Sequence, residues 1–158
     1  MSTVRAATVA DAPAIGEIHV RSWQAAYAGL IPEDFLARLS ASSRAASWAR
    51  RIGEGSGQVL VIEDDGVVAG FAAFDPGRLY ALYLLPEYWG RGLGRTLHDR
   101  VVEEFSGDSA VLWVLATNER AKAFYVRRGW ADDGARQTET IDDGRVTLEE
   151  MRFRRPLP

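Results

Sequence analysis

The run Tyr88-Trp89-Gly90-Arg91-Gly92-Leu93-Gly94-Arg95 has the residue types and spacing for chemistry. It follows an apolar stretch and opens a helical one. Glycines at alternate positions let backbone amides approach a ligand without side chains in the way. The first turn of a helix leaves N–H groups unpaired, and its dipole favours an anion there. Arg91 and Arg95 add positive charge at the same end. The run therefore reads as a phosphate or pyrophosphate cradle, or as a tight strand-to-helix turn that holds nothing. Two other nucleotide motifs fit poorly. A Walker loop needs Gly-Lys-Ser or Gly-Lys-Thr, and the sequence contains neither. A dinucleotide fingerprint spaces its glycines unevenly, whereas Gly90, Gly92 and Gly94 alternate and Arg95 stands where a small residue would let the helix pack.

The elements that must hold this loop follow from turn residues and periodicity. Val4 to Thr8 reads as a short strand. Thr8 or Asp11 can cap the next helix, with Pro13 in its first turn. Ile15, Ile18, His19, Ser22, Trp23 and Ala26 recur on one helical face. Further helices are expected from about Glu33 to Ser40 and from about Ser42 to Ile52. Gly53 to Gly57 reads as a loop rather than a domain boundary, because the preceding residues are too few for an independent core. Gln58 to Glu63 and Val67 to Phe74 form a hairpin around Asp64-Asp65-Gly66. Asp75-Pro76-Gly77 turns into a strand from Leu79 to Leu85. The glycine loop and a helix to Phe105 follow. Val111 to Ala116 is a strand, and Glu119 to Arg128 a helix ended by Gly129. Asp143-Gly144 closes a last hairpin between Gln137–Ile141 and Val146–Phe153. Val146 and Leu148 share one parity and Met151 and Phe153 the other, which predicts a bulge near Glu149 or Glu150. This order implies an α+β fold: a mixed, mostly antiparallel twisted sheet with helices on both faces.

Composition sets the outer bounds. The 158 residues carry a net charge of −3 and no cysteine. One domain over residues 1–158 is the expectation, burying roughly 70% of the unfolded surface. Without cysteine there is no disulfide, no cysteine nucleophile and no thiolate metal site. His19 and His98 are too few for a histidine-rich metal centre, so no metal is expected. The global charge gives no case for nucleic acid or an anionic membrane. The opening Met1 to Arg5 lacks the apolar core of a signal peptide, and no apolar run approaches a membrane span, so a cytoplasmic protein is expected. Lys122 is the sole lysine among the 19 basic residues, a bias that GC-rich coding explains.

From Leu79 to Trp130 the chain resembles the GNAT superfamily, the acetyl-CoA-dependent N-acetyltransferases. One part is Leu82-Tyr83-Leu84-Leu85-Pro86-Glu87-Tyr88-Trp89-Gly90-Arg91-Gly92-Leu93-Gly94, similar to the family's strand and pyrophosphate loop. The other is Asn118-Glu119-Arg120-Ala121-Lys122-Ala123-Phe124-Tyr125-Val126-Arg127-Arg128-Gly129-Trp130, similar to its Asn, Ala, Phe-Tyr, Gly-aromatic signature. The pair covers about a third of the chain. The resemblance implies a GNAT acyltransferase fold and acetyl-CoA as cosubstrate. It implies that the backbone of Leu82, Tyr83 and Leu84 pairs with the pantetheine arm like an added strand. Amides of Gly90, Arg91, Gly92, Leu93, Gly94 and Arg95 would hold the pyrophosphate, and Asn118 would contact the pantetheine side. Tyr125 would be the general acid for the departing thiolate; its plainer reading is a packed helix tyrosine.

Two departures from the family pattern stand out. Trp89 replaces the usual Gln or Arg at the loop's start, which an amide cradle does not need. Arg78 stands where the family often carries a glutamate base, leaving the base unassigned. Asp75 is near in sequence but reads as a turn residue. On the acceptor side, Trp23 and Tyr27 resemble an aromatic wall able to hold a cationic amine, while Trp23 can equally be sheet packing. His19 is expected to be packed or hydrogen-bonded, and His98 to lie at the surface. Glu33 and Asp34 can recruit a cation or simply begin a helix. The expected partner is a small-molecule or peptide amine. A homodimer through the last hairpin or exposed aromatics is compatible with the sequence. The alternative to a direct-transfer enzyme is a non-catalytic module that senses acyl-CoA, which the loss of the glutamate at Arg78 would favour.

Overall fold

A computed structural model describes residues 1–158. In chain order the elements are β1 (Ser2–Ala6), α1 (Ala12–Ala26), α2 (Glu33–Ala37), α3 (Ala41–Glu54), β2 (Gln58–Asp64), β3 (Val67–Asp75), β4 (Arg78–Leu84), α4 (Leu93–Glu104), β5 (Ser109–Leu115), α5 (Glu119–Val126), β6 (Ala131–Ile141) and β7 (Val146–Pro156). Short 3-10 turns at Val9–Asp11 and Pro86–Tyr88 precede α1 and the glycine loop. No helix is long and apolar enough to cross a membrane.

The turns expected from sequence position the strands. Asp65 and Gly66 both take positive φ, 48° and 83°. That twist matches the flanking strands and closes the β2–β3 hairpin tightly. Asp75 then accepts a hydrogen bond from the Gly77 amide at 2.9 Å, fixing the turn into β4. The sheet order is β1-β2-β3-β4-β5-β7-β6. Only β4 and β5 run parallel, because α4 carries the chain from one to the other.

Helices cover both faces. Ile15, Ile18 and Trp48 of α1 and α3 pack on Val61, Phe71 and Ala73. On the opposite face Leu93, Leu97 and Val101 of α4 pack on Ile62, Phe74 and Leu112, with Ala121 and Tyr125 of α5 beside them. Gly16 lets α1 and α3 touch: a Cβ there would lie 2.5 Å from the Ala41 carbonyl oxygen.

The final hairpin differs from expectation in one respect. β7 pairs with β5 without interruption from Leu115↔Glu150 to Ser109↔Pro156. The bulge lies instead in β6, between Asp132 and Arg136. The parity change in β7 has another cause. Val146 and Leu148 meet Ile31, Phe35 and Leu36 on one face, whereas Met151 and Phe153 join the α4-side core on the other. Two layers cover different lengths of one straight strand. β6 also begins earlier than the Gln137 expected from sequence, at Ala131, with residues 133–135 out of the ladder between Asp132↔Phe153 and Arg136↔Met151.

Candidate active site

β4 and β5 pair at only two positions, Arg78↔Val111 and Leu79↔Leu112. Beyond Leu79 the strands part, and the β4 edge facing β5 has no strand partner. An exposed strand edge is a template for any extended chain bearing donors and acceptors. A cavity of about 180 Å³ lies in the fork, walled by Leu82, Leu84, Val114, Trp89, Phe124 and Tyr125, among others. On β4, Leu82 and Leu84 face the α4 side, while Ala81 and Tyr83 face α1 and α3. Tyr80 is an extra residue on β4, between Ala73↔Ala81 and Phe74↔Leu79 in the β3 register.

The glycine loop closes one end of the fork. Gly90 and Gly92 hold φ of 77° and 83°, and a Cβ on either would meet nothing within 4 Å. A side chain is excluded by backbone conformation there, not by space. The amides of Gly92, Leu93, Gly94 and Arg95 donate to no carbonyl; the Thr96 amide is the first to bond, to Gly92 at 3.1 Å. Four N–H groups thus face outward at the positive end of α4. Gly94 has a different task. A Cβ there would press to 3.4 Å from Leu84 and from Phe124, so this glycine lets α4 approach β4 and α5. Arg91 is exposed with its guanidinium 5.1 Å from the Tyr88 ring centre. Arg95 is exposed, 3.9 Å from Asp99. Trp89 anchors the loop: its Nε1 donates to the Leu84 carbonyl at 3.0 Å, and Arg120 stacks on its ring at 3.7 Å.

α5 brings the second signature to the same cleft. Asn118 is buried and caps α5 by accepting from the Ala121 amide at 3.1 Å. Its Oδ1 is therefore committed, and its Nδ2 is the donor left for the cleft. Tyr125, half-buried, lines the cleft with a hydroxyl that makes no hydrogen bond within the protein. Burial pushes its pKa well above the usual tyrosine value, with the nearby Tyr83 adding to the effect. The phenol keeps its proton, as a general acid must before it acts.

A second cavity of about 300 Å³ lies on the α1–α3 face. Tyr27, Leu79, Tyr80, Ala81, Tyr83 and Trp113 line both cavities, so the two spaces meet at these residues. Trp23 and Tyr27 sit here at the end of α1, edge to face at 4.8 Å. Both also pack against the Ile31–Phe35–Leu36 cluster, so the packing and the lining roles coincide. The Trp23 Nε1 is buried without a partner, and the Tyr83 hydroxyl lies near it without closing a hydrogen bond. His19 stacks on Tyr83 at 5.7 Å and accepts from the Trp48 Nε1 at 3.1 Å. Burial, with Arg44 nearby, lowers its pKa to about 4, so the ring is neutral. His98 corrects the expectation of a surface residue. It is 1% exposed, accepts from the Trp130 Nε1 at 2.9 Å and meets Asp99 at 3.0 Å. Its polar neighbours in sequence project outward while the ring turns into the core.

Sequence reasoning missed the carboxylates. Asp75 is occupied by the Tyr80 hydroxyl at 2.7 Å and by the turn amide. The acids facing the second cavity come from the last hairpin: Glu150 on β7 and Glu139 on β6. Arg78 lines the same cavity. Glu150 accepts from the Gln137 Nε2 at 2.8 Å, and burial raises its pKa above the usual carboxylate value. The available signal was an acid at the point where β7 changes parity. No group of three His, Asp or Glu side chains stands close enough to hold a metal ion.

The acetyltransferase (GNAT) family model matches residues 15–130. An uncharacterised N-acetyltransferase from Bacillus subtilis is 36% identical over 131 residues, spanning 75% of this chain and 74% of the relative. The crystal structure of a GCN5-related N-acetyltransferase from Rhodopseudomonas palustris is 26% identical and superposes with a TM-score of 0.85 over 99% of this chain and 96% of that one. An acetyltransferase from Salmonella typhimurium, solved with its cofactor acetyl-CoA, is 24% identical with a TM-score of 0.72 over 100% of this chain and 95% of that one; this likeness is one of fold.

Proposed function

The chain belongs to the acetyltransferase (GNAT) family, and we propose that it transfers an acetyl group from acetyl-CoA to a primary amine by direct attack, with Tyr125 as the general acid. The observation that carries this reading is the meeting of two cavities at Tyr83 and Tyr27, one beside the amide cradle and one beside the aromatic wall. The chain is an acetyl-CoA-dependent acyltransferase by family, and residues 1–158 are taken as a single N-acetyltransferase domain.

The residues present fit the cosubstrate. The four unbonded amides from Gly92 to Arg95 suit a pyrophosphate, and no Cβ at Gly90 or Gly92 obstructs it. Arg91 and Arg95 add positive charge beside it, with the Leu93 amide among the donors. The unpartnered β4 edge at Leu82, Tyr83 and Leu84 suits the amides of a pantetheine arm, as does the Asn118 Nδ2. The apolar walls exclude water from the fork. Bound acetyl-CoA supplies an acetyl thioester. Backbone amides of β4 polarise its carbonyl while the acceptor's lone pair forms the new C–N bond. The C–S bond breaks, and the Tyr125 hydroxyl gives its proton to sulfur. The phenolate is then reprotonated from the proton the amine has shed. No covalent enzyme intermediate is required, in keeping with a chain that contains no cysteine.

Arg78 at the family's glutamate position is the observation behind a second reading, a module that binds acyl-CoA without transfer. Calorimetry with acetyl-CoA, NAD and ATP, together with thiol release across an amine library, separates the two. Binding of acetyl-CoA alone with amine-dependent thiol release is the expected result. Tight binding without release for every amine would establish the sensor.

A further inference from the structure

We propose that the acceptor is a small zwitterion, an amine that also carries a carboxylate, held between Glu150 and Arg78 in the cavity on the α1–α3 face. This inference rests on the acetyl-transfer reading and names the class of molecule that site takes.

Arg78 enters this cavity from the start of β4. Its Nε is buried with no hydrogen-bond partner, and its guanidinium touches the Tyr80 ring at 4.3 Å. No carboxylate lies within ion-pair distance of it. The Trp23 Nε1, near the Tyr83 hydroxyl but closing no hydrogen bond to it, is a second buried donor in the same cavity. Unpartnered buried donors are unfavourable unless a ligand completes them. Here two of them line one cavity, and both ask for an acceptor oxygen.

The opposite charge stands across the cavity. Glu150 is half-buried on β7, accepts from the Gln137 amide at 2.8 Å, and faces the Glu139 carboxyl, whose charge further raises its pKa. Glu139 lies two residues further along β6, at the exposed rim. Neither makes an ion pair, and each carboxylate keeps free lone pairs for an ammonium. The other groups facing Glu150 do not compete. His19 on α1 is neutral. Tyr27, just after α1, and Tyr83 on β4 keep their protons, their pKa values raised chiefly by burial. Arg51 on α3 is committed to the Ser56 carbonyl at 3.0 Å and to the faces of Trp48 and Tyr80.

Arg78 acts on Glu150 through space without an ion pair, so a cation alone would leave the Arg78 Nε without an acceptor, and an anion alone would leave Glu150 without an ammonium. One molecule bearing both charges completes both. Glu150 acts through space on Tyr27 and Tyr83, which line both cavities, so an ammonium held by Glu150 lies next to the cleft. Trp23, Trp113 and Leu148 form an apolar wall for the body of such a molecule. A free α-amino acid has this chemistry.

The test is calorimetry on the full chain with CoA present, comparing each standard α-amino acid with its decarboxylated amine and its deaminated acid. L-Phenylalanine, phenethylamine and 3-phenylpropionate form one such set. At least one amino acid should bind tenfold or more tightly than both of its counterparts. Arg78→Met should erase its advantage over the amine, and Glu150→Gln its advantage over the acid, while both variants bind CoA like the parent chain. If in every set the decarboxylated amine binds as well as the amino acid, or no amino acid binds, the proposal is wrong. Thiol release, measured separately, tests the underlying reading. Preferred binding of an amino acid without release would overturn transfer and keep the zwitterion site. Release with phenethylamine at least as fast as with L-phenylalanine, repeated across the sets, would do the reverse.

Discussion

The cleft in the β4–β5 fork and the cavity on the α1–α3 face share Tyr27 and Tyr83, but they are made in different ways. Apart from the end of α1, the cleft is built from residues 79 to 125: two strands, the glycine loop with the start of α4, and α5. Its ligand-facing groups are mostly main chain: a free strand edge and four amides. The cavity on the α1–α3 face draws side chains from α1, α3, β4, β5, β6 and β7, from His19 to Glu150. Main-chain recognition depends on conformation and tolerates most substitutions outside the glycines. Side-chain recognition depends on identity at each position, so within one fold the first region can persist while the second changes its acceptor.

Changes confined to one region should therefore leave the other intact. The largest effect is expected at Gly16. Its Cβ would meet the Ala41 carbonyl oxygen at 2.5 Å and the Ala45 amide at 2.7 Å, so α1 and α3 must separate. Gly16→Ala should lower stability by about 2 kcal/mol in denaturant titration. It should also raise the acceptor KM, since α1 and α3 wall that cavity, with little change in acetyl-CoA affinity. Gly92→Val is the converse. A β-branched residue at φ of 83° costs about 1–2 kcal/mol. Calorimetry should show acetyl-CoA affinity weakened roughly tenfold, with the His19–Trp48 contact undisturbed. Weakened acetyl-CoA binding in Gly16→Ala, or a disturbed His19–Trp48 contact in Gly92→Val, would contradict this division.

Smaller effects probe the aromatic wall. Trp48→Phe removes the donor to the His19 Nδ1 and should destabilise by about 1 kcal/mol. The pH dependence of stability is smaller still within the physiological range. His19 has a folded-state pKa near 4, below its ordinary value, and His98 is also lowered. Between the ordinary histidine value and about pH 4 the unfolded chain binds protons that the folded chain does not. The histidines therefore contribute stability above that window and lose it as pH falls through it. Thermal unfolding of the parent chain and of His19→Gln at a series of pH values reads the difference: the acid-side decline should be shallower in the variant.

The same contrast governs what was legible in the sequence. The cleft was readable because its parts are local. Alternating glycines before a helix, and Asn118 and Tyr125 on the next one, keep their meaning within a short window. Even there Gly94 was read as part of the cradle alone, because its contacts with Leu84 and Phe124 are tertiary. The fold followed from turns and periodicity, except in the last hairpin, where the bulge expected near Glu149 or Glu150 lies in β6 between Asp132 and Arg136. The cavity on the α1–α3 face was readable only at Trp23 and Tyr27. Arg78 was noticed as a missing glutamate rather than as a lining residue. Glu150 and Glu139 gave little sign, since an acid on a strand normally faces water. Only the pairing of β7 between β5 and β6 turns Glu150 inward. His98 was misjudged for a related reason: sequence neighbours describe a helix's surface, but Trp130, distant in the chain, holds this ring inside.

The junction of the two regions is the centre of the account, and Tyr125 stands there with a proton and no protein partner for its hydroxyl. Thiol release from acetyl-CoA by Tyr125→Phe, beside acetyl-CoA binding by calorimetry, addresses it directly. Turnover should fall about a hundredfold while the dissociation constant stays within a factor of about three. Turnover equal to that of the parent chain at several pH values would contradict the assignment of Tyr125 as general acid.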